Sequence, residues 1–166
     1  MTATKISRRG LFQGRQTAGF RRILPPGATD VGLLACSGCG NCADACPTHI
    51  ISIVGDLPSL DFSTGECTFC GECANVCPVQ VFLGESPYRF SHVALITDNC
   101  LAQNRVECQA CRDACPAQAI RFRPQIRGPF LPILEDEVCN GCGACISVCP
   151  VAAIEIRELS QEAVHA

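Results

Sequence analysis

Four copies of one cysteine-rich phrase constrain this 166-residue chain more than any other feature. Three copies share the spacing C-x2-C-x2-C-x3-C-P and read CSGCGNCADACP at 36–47, CTFCGECANVCP at 67–78 and CNGCGACISVCP at 139–150. A further copy, third in chain order, reads CLAQNRVECQACRDACP at 100–116 and opens with C-x7-C instead. The four phrases use all 16 cysteines. Such a repeat predicts a fold that is organised around its cysteines.

The spacing is the one that bacterial ferredoxins use to hold [4Fe–4S] clusters. Three cysteines, with two residues between each and the next, lie on a tight loop that wraps around one cube. Glycines such as Gly38, Gly71 and Gly141 let the backbone approach the cube with positive φ. About one helical turn then carries the fourth cysteine towards the neighbouring cluster, and the proline that follows ends this turn. We therefore expect four [4Fe–4S] clusters.

Zinc and disulfide bonds are the alternatives for so many cysteines. A zinc site combines two C-x2-C pairs around a tetrahedral ion and requires neither a third cysteine at the same step nor the C-P pair. A disulfide framework requires an oxidising compartment. Iron–sulfur binding accounts for every part of the phrase.

Exchange of the fourth cysteine between paired phrases predicts four ligand sets. In the first pair the sets are Cys36, Cys39, Cys42 with Cys77, and Cys67, Cys70, Cys73 with Cys46. In the second pair the sets are Cys100, Cys108, Cys111 with Cys149, and Cys139, Cys142, Cys145 with Cys115.

The stretched third phrase makes Cys100 the least certain ligand. The segment LAQNRVE stands where two residues stand elsewhere, and without Cys100 three thiolates would remain, leaving an open iron or a [3Fe–4S] species and three complete clusters. Ile96 precedes Cys100 by four positions, close to the five that separate Phe62 from Cys67 and Leu134 from Cys139. Surface loops also tolerate insertions. We predict that Cys100 is a ligand.

Short strand-like runs flank the phrases. SLDF, VALI and FLPIL lead into cysteines, whereas ISIV, IRFR and IEIR follow them with alternating apolar and polar residues. An apolar pair that we expect to pack on the clusters lies four and five residues after each fourth cysteine: Ile50-Ile51, Val81-Phe82, Ala119-Ile120 and Ala153-Ile154.

These elements predict an α+β fold of two tandem bacterial dicluster ferredoxin-like modules, with short strands and short helices around the clusters. The predicted segments are a basic flexible tail at 1–30, modules at 31–84 and 92–158, a linker at 85–91 and a C-terminal tail at 159–166.

The N-terminal segment differs from the rest in charge. Residues 1–29 carry six basic and no acidic residues, whereas the rest of the chain has seven arginines and sixteen acids. Arg8 and Arg9 resemble the start of a twin-arginine export signal, but Gln, Gly, Thr and further basic residues interrupt the apolar run that such a signal needs. No stretch is long enough to span a bilayer. We predict a cytoplasmic protein without a transmembrane segment.

No motif for catalysis or nucleic-acid binding accompanies the cysteines. The sequence has no P-loop, no G-x-G-x-x-G fingerprint and no Ser/His/Asp arrangement, and no aromatic platform supports DNA binding by the basic tail. His49, His92 and His165 are scattered, and we predict that they are solvated or capping residues. An electron-transfer or accessory protein is expected, not an enzyme.

The segment SRRGLFQGR at 7–15, the prolines at 25 and 26, the stretched third phrase and a short polar C-terminus together resemble the NapF family, the ferredoxin-type accessory proteins of the periplasmic nitrate reductase system. The resemblance covers nearly the whole chain. It implies that the protein binds the precursor form of the nitrate reductase catalytic subunit before export and assists the assembly of its iron–sulfur or molybdenum site.

The same resemblance implies that the sixteen cysteines are ligands and that Ser7, Arg8 and Arg9 contact the partner. Two alternatives remain. The basic tail can lack a specific partner, since basic arms are common interaction or solubility elements. The protein can also be a general electron carrier or the wiring subunit of an oxidoreductase.

Overall fold

The computed structural model describes residues 22–82 and 88–159, which we call the first half and the second half. Within them the chain is a mixed helix-and-strand protein, as predicted. The helices are single turns of four residues: α1 (Asp30–Leu33), α2 (Asn41–Asp44), α3 (Glu72–Asn75), α4 (Ala110–Asp113) and α5 (Ala144–Ser147). The strands are β1 (Ile51–Val54), β2 (Leu57–Leu60), β3 (His92–Ile96), β4 (Ile120–Gln125), β5 (Gly128–Leu134) and β6 (Ile154–Glu158). None of the described helices has the length and hydropathy needed to cross a membrane.

The strands form three antiparallel pairs. β1 pairs with β2, and β4 pairs with β5, each across a tight turn. Asp56 and Arg127 take positive φ in these turns. The β4–β5 register shifts between Arg123 and Gln125, at Pro124, which has no backbone N–H to donate. The third pair joins β3 to β6 and so brackets the second half.

A left-handed glycine precedes three of the single-turn helices. Gly40, Gly71 and Gly143 are the N-caps of α2, α3 and α5, with φ of 84°, 78° and 84°. Gln109 takes the corresponding place before α4, with φ of −137°. The third cysteine phrase therefore differs from the others at this cap as well as in its length.

Cysteines form part of the apolar core in both halves. The core of the first half contains Cys46 and Cys73 beside Ile50, Leu60 and Phe62. The second half has an equivalent core, made of Val93, Ala94, Cys111, Ala119, Ile120, Cys139, Cys145 and Ile154. The first member of each predicted apolar pair is almost completely buried, with 2%, 2%, 0% and 1% exposure at Ile50, Val81, Ala119 and Ala153.

The last residues of the predicted tail, 22–30, lie against the rest of the first half. The Arg22 guanidinium donates to the Val54 carbonyl at 2.7 Å, and the Leu60 N–H donates to the Ile23 carbonyl at 2.8 Å. Ala28 forms an isolated bridge with Phe82, in the place where the second half has the β3–β6 pair. The segment boundaries themselves stay predictions.

Candidate metal centres

Three of the predicted cysteine sets each surround a cavity. Cys36, Cys39, Cys42 and Cys77 line one cavity together with Val81 and Phe82. Cys46, Cys67, Cys70 and Cys73 line a second one together with Ile50 and Ile51. Cys115, Cys139, Cys142 and Cys145 line a third one together with Ile120 and Leu134. In each cavity three cysteines come from one phrase and the fourth comes from its paired phrase, and apolar residues predicted to pack on a cluster complete the lining.

Three cysteines of the fourth set lie together around Cys111. The burial of Cys111 raises the pKa of its thiol to about 11, and the nearby Cys100 and Cys108 thiolates add to the shift. Cys149 packs against the core that contains Cys111. The stretched segment is closed by Asn104, whose side-chain amide donates to the carbonyls of Asp98 at 2.7 Å and Cys100 at 2.9 Å. The inserted residues therefore leave Cys100 beside the other cysteines of its phrase.

The donor sets fit an iron–sulfur cube better than the alternatives. All sixteen cysteines are free, so the sets contain no disulfide bond. Within the described residues no three Cys, His, Asp or Glu side chains converge closely enough to hold a single metal ion. The sulfurs instead stand around cavities with mainly apolar walls. Four soft thiolates around such a volume suit a [4Fe–4S] cube, in which each of the four irons takes one thiolate.

Comparison with known proteins gives the same assignment. The family described as "4Fe-4S dicluster domain" matches residues 35–81 and 104–153. The chain is 41% identical over 161 residues to ferredoxin-type protein NapF of Haemophilus influenzae, with 95% of this chain and 91% of that protein covered. It is 40% identical over 156 residues to ferredoxin-type protein NapF of Escherichia coli K12, with 92% and 95% covered.

The chain belongs to the NapF family of ferredoxin-type proteins. Ferredoxin-type protein NapG of Escherichia coli K12 is a more distant relative, 30% identical over 177 residues, with 91% of this chain and 77% of that protein covered. The cofactor of this NapF-family chain is the [4Fe–4S] cluster, as the cysteine phrases predicted. Such clusters pass electrons when cysteines fill all their ligand positions.

Burial keeps several thiols protonated when they hold no metal. It raises the pKa of Cys67 and Cys73 to about 11 and that of Cys145 to about 12, with neighbouring thiolates adding to each shift. At neutral pH these groups carry protons that iron must displace, so iron binding releases protons. Burial and repulsion between thiolates both oppose deprotonation of these groups, and both penalties are relieved when iron neutralises the charge.

Backbone N–H groups point at the fourth cysteine of several phrases. The Ala119 N–H donates to the Cys115 sulfur at 3.4 Å, and the Ala153 N–H donates to the Cys149 sulfur at 3.2 Å. Burial acts to raise the pKa of Cys46, but hydrogen bonds from the Thr48 hydroxyl and nearby N–H groups outweigh it and lower the pKa overall. Hydrogen bonds of this kind stabilise thiolates and tune the potential of a cluster.

His92 is a site residue that the sequence analysis missed. We predicted a solvated or capping side chain, but His92 is 5% exposed and stacks on Phe90 with 4.7 Å between ring centroids. Its Nε2 lies 3.0 Å from the Gly141 carbonyl oxygen and donates to it. Burial lowers the pKa of His92 below its ordinary value, although this hydrogen bond opposes the shift. The alternation of β3 carried a signal, because His92 shares a strand face with Ala94 and Ile96.

The other non-cysteine predictions have separate outcomes. His49 is exposed and takes a positive φ of 53°, as expected of a turn residue. His165, Arg8 and Arg9 lie outside the described residues.

Proposed function

We propose that this chain is a cytoplasmic iron–sulfur accessory protein of the periplasmic nitrate reductase system. It binds the precursor of the catalytic subunit before export and assists the maturation of its cofactor site by supplying electrons. The observation that carries the proposal is the similarity over 95% of the chain to a ferredoxin-type protein NapF. The four-cysteine cavities support the electron-carrying part of the role.

The proposal includes two tandem dicluster modules with four [4Fe–4S] clusters. The ligand sets are those predicted from the sequence: Cys36, Cys39, Cys42 and Cys77; Cys67, Cys70, Cys73 and Cys46; Cys100, Cys108, Cys111 and Cys149; Cys139, Cys142, Cys145 and Cys115. Anaerobic iron and sulfide quantitation combined with EPR tests these sets. We expect Cys100→Ala to lose at least one iron per chain and to give a [3Fe–4S]-type signal. An unchanged iron content and spectrum would remove Cys100 from the ligands.

Arg8 and Arg9 are proposed to form a recognition arm for the precursor. The partner is exported, and these residues resemble the start of an export signal without its apolar region. In a capture assay with the unexported catalytic subunit, Arg8→Ala/Arg9→Ala should weaken binding at least tenfold. Lys5→Ala/Arg15→Ala removes the same amount of charge from the same segment and should weaken binding far less.

Equal capture by both double variants would show that the arm acts only through its charge. Deletion of residues 1–21 provides a second test and keeps Arg22, which is bonded to Val54. Capture by this deletion variant at wild-type strength would reject the recognition arm. Cell fractionation tests the proposed location, because a periplasmic pool of the protein would contradict it.

A general electron carrier is the second candidate function. It is favoured by the exposure of Cys39 and Cys70 in the first half, because an exposed ligand lets a cluster exchange electrons with many partners. A carrier of this type would transfer electrons to a generic acceptor equally well with and without residues 1–21, and cells that lack it would still produce mature nitrate reductase. Immature enzyme in those cells supports the accessory role.

A further inference from the structure

Three consecutive backbone carbonyls of the fourth cysteine loop, residues 139–143, accept hydrogen bonds from donors outside the loop. The Phe90 N–H donates to the Asn140 carbonyl at 3.0 Å, and His92 Nε2 donates to the Gly141 carbonyl at 3.0 Å. The Cys67 N–H, which belongs to the first half, donates to the Cys142 carbonyl at 2.8 Å. Each of these donors lies at least 49 residues from its acceptor in the sequence. Three fixed carbonyls in a row leave the loop little freedom.

Side-chain packing closes the same loop. A Cβ placed on Gly143 would overlap the Phe62 ring and lie 2.8 Å from the Phe62 Cβ. A Cβ placed on Gly141 would lie 2.6 Å from the His92 carbonyl oxygen. Phe62 is 3% exposed and meets the His92 ring edge-on, with 6.0 Å between centroids. We call Phe62, Cys67, Phe90 and His92, together with the loop that they touch, the seam.

The equivalent glycines of the first half are open. Gly40 and Gly71 have nothing within 4 Å of a hypothetical Cβ, although their φ values of 84° and 78° match the 84° of Gly143. The sequence pattern therefore explains the backbone of all three glycines. Of these three helix-capping glycines, only Gly143 is also pressed by a residue from another part of the protein.

We propose that the first half helps to build the iron site of the fourth phrase. In this proposal Phe62 of the first half, together with Phe90 and His92 of the second half, positions the loop so that Cys139, Cys142 and Cys145 converge with Cys115. The Cys67–Cys142 hydrogen bond joins the ligand sets of the two central sites. The proposal rests on the proposed ligand sets, and its consequence is that iron retention at the fourth phrase depends on residues far away in the sequence.

A matched pair of glycine variants tests this proposal. Gly143→Ala and Gly40→Ala introduce the same methyl group at the same left-handed φ, so their intrinsic backbone strain is equal. After anaerobic purification we expect Gly143→Ala to retain about four fewer iron atoms per chain than Gly40→Ala, which is one cluster. Phe62→Leu combined with Gly143→Ala removes the overlapping ring and should restore part of the iron.

Equal iron content in the two glycine variants would overturn the proposal, whether both keep their iron or both lose it. If Gly143→Ala yields no folded protein, Phe62→Leu alone takes its place, with Phe130→Leu at an exposed position of β5 as the control. We then expect iron loss only in Phe62→Leu, and equal iron in the two would reject the seam.

His92 is tested by a spectroscopic readout and by rescue. His92→Leu removes the donor to Gly141, whereas His92→Gln keeps a side-chain N–H group. We expect His92→Leu to change the EPR spectrum and the midpoint potential of one cluster, and His92→Gln to keep both near wild type. Identical spectra for wild type and His92→Leu would remove His92 from the positioning residues. A wild-type protein without iron would instead reject the ligand sets of the proposed function, so the two failures are distinguishable.

Discussion

The first and fourth cysteine loops have the same spacing and the same backbone shape but opposite surroundings. Every residue from 141 to 145 is buried, and none of the equivalent residues from 38 to 42 is. Gly40 and Gly143 share a φ of 84°, yet only Gly143 is pressed by a neighbouring side chain. Leu34, beside the first loop, is 89% exposed, whereas Phe62, beside the fourth loop, is 3% exposed. A cysteine phrase therefore fixes the path of its own loop, and distant residues decide how far solvent reaches it.

This difference has a chemical consequence. Solvent exposure is one of the factors that set the potential of a cluster, together with charge and hydrogen bonds to sulfur. The first loop exposes Cys39, and the fourth loop buries Cys139, Cys142 and Cys145. Four phrases of similar sequence thus offer chemically distinct environments.

Removal of iron is the change with the largest expected effect, and it acts on both loops. Cysteines occupy core positions in both halves. A cysteine side chain is small, so without the cluster it does not fill the space that a larger apolar side chain would fill. Ligand binding is folding free energy in domains of this kind. We expect anaerobic chelation to abolish cooperative unfolding, measured by far-UV circular dichroism during thermal scans.

The control for chelation is the same protein reloaded with iron and sulfide, which should recover its transition. A metal-free chain that still unfolds cooperatively at the wild-type temperature would show that the apolar core is sufficient. The different burial of the first and fourth loops would then affect the properties of the clusters and not the stability of the fold.

Phe62→Ala should have the next largest effect because it opens the seam. Phe62 belongs to the core of the first half and also contacts Gly143. Truncation of a buried phenylalanine costs about 3–5 kcal/mol of unfolding free energy. We expect a loss of this size in anaerobic urea titrations of the iron-loaded protein.

Phe130→Ala is the matched control, since Phe130 is 43% exposed on β5. Its loss should be about 1 kcal/mol or less, as for other exposed positions. Equal losses for the two variants would show that burial at the seam contributes nothing special to stability.

Arg89→Ala should have the smallest effect of the three. Its guanidinium donates to the carbonyls of Glu137 at 2.6 Å and Asp136 at 2.7 Å, just before the fourth loop. Both bonds are solvent-exposed, so we expect a loss of about 1 kcal/mol in the same titrations. Arg121 lies on β4, and Arg121→Ala removes its exposed ion pair with Glu135. This change should lower the free energy of unfolding by less than Arg89→Ala does. A larger loss of unfolding free energy for Arg121→Ala than for Arg89→Ala would show that the Arg89 hydrogen bonds are not the stronger contribution to stability before the fourth loop.

Much of the local structure was predictable because it depends on short-range patterns. ISIV, IRFR and IEIR form strands as expected, since alternation reports a half-buried strand directly. Gly38, Gly71 and Gly141 take positive φ, as the tight loops required. Three of the predicted cysteine sets line cavities, and their role as ligand sets stays a prediction.

The leading and trailing strands do not accompany all four phrases. The second phrase is followed only by the Ala28–Phe82 bridge, and α1 stands before the first phrase where a strand leads into the others. Both departures lie where residues 22–30 contact the rest of the first half. A pairing partner supplied from elsewhere in the chain cannot be read from the repeat itself.

The sequence by itself determined the cofactor and the positive φ of the glycines in the cysteine loops, because cluster chemistry requires particular residues at particular short spacings. Only the tertiary structure decided which loop is buried, why His92 is not a surface residue and where Cys67 meets Cys142. These properties depend on contacts between residues far apart in the chain, and a pattern that repeats four times carries no information about which of its copies receives a neighbour.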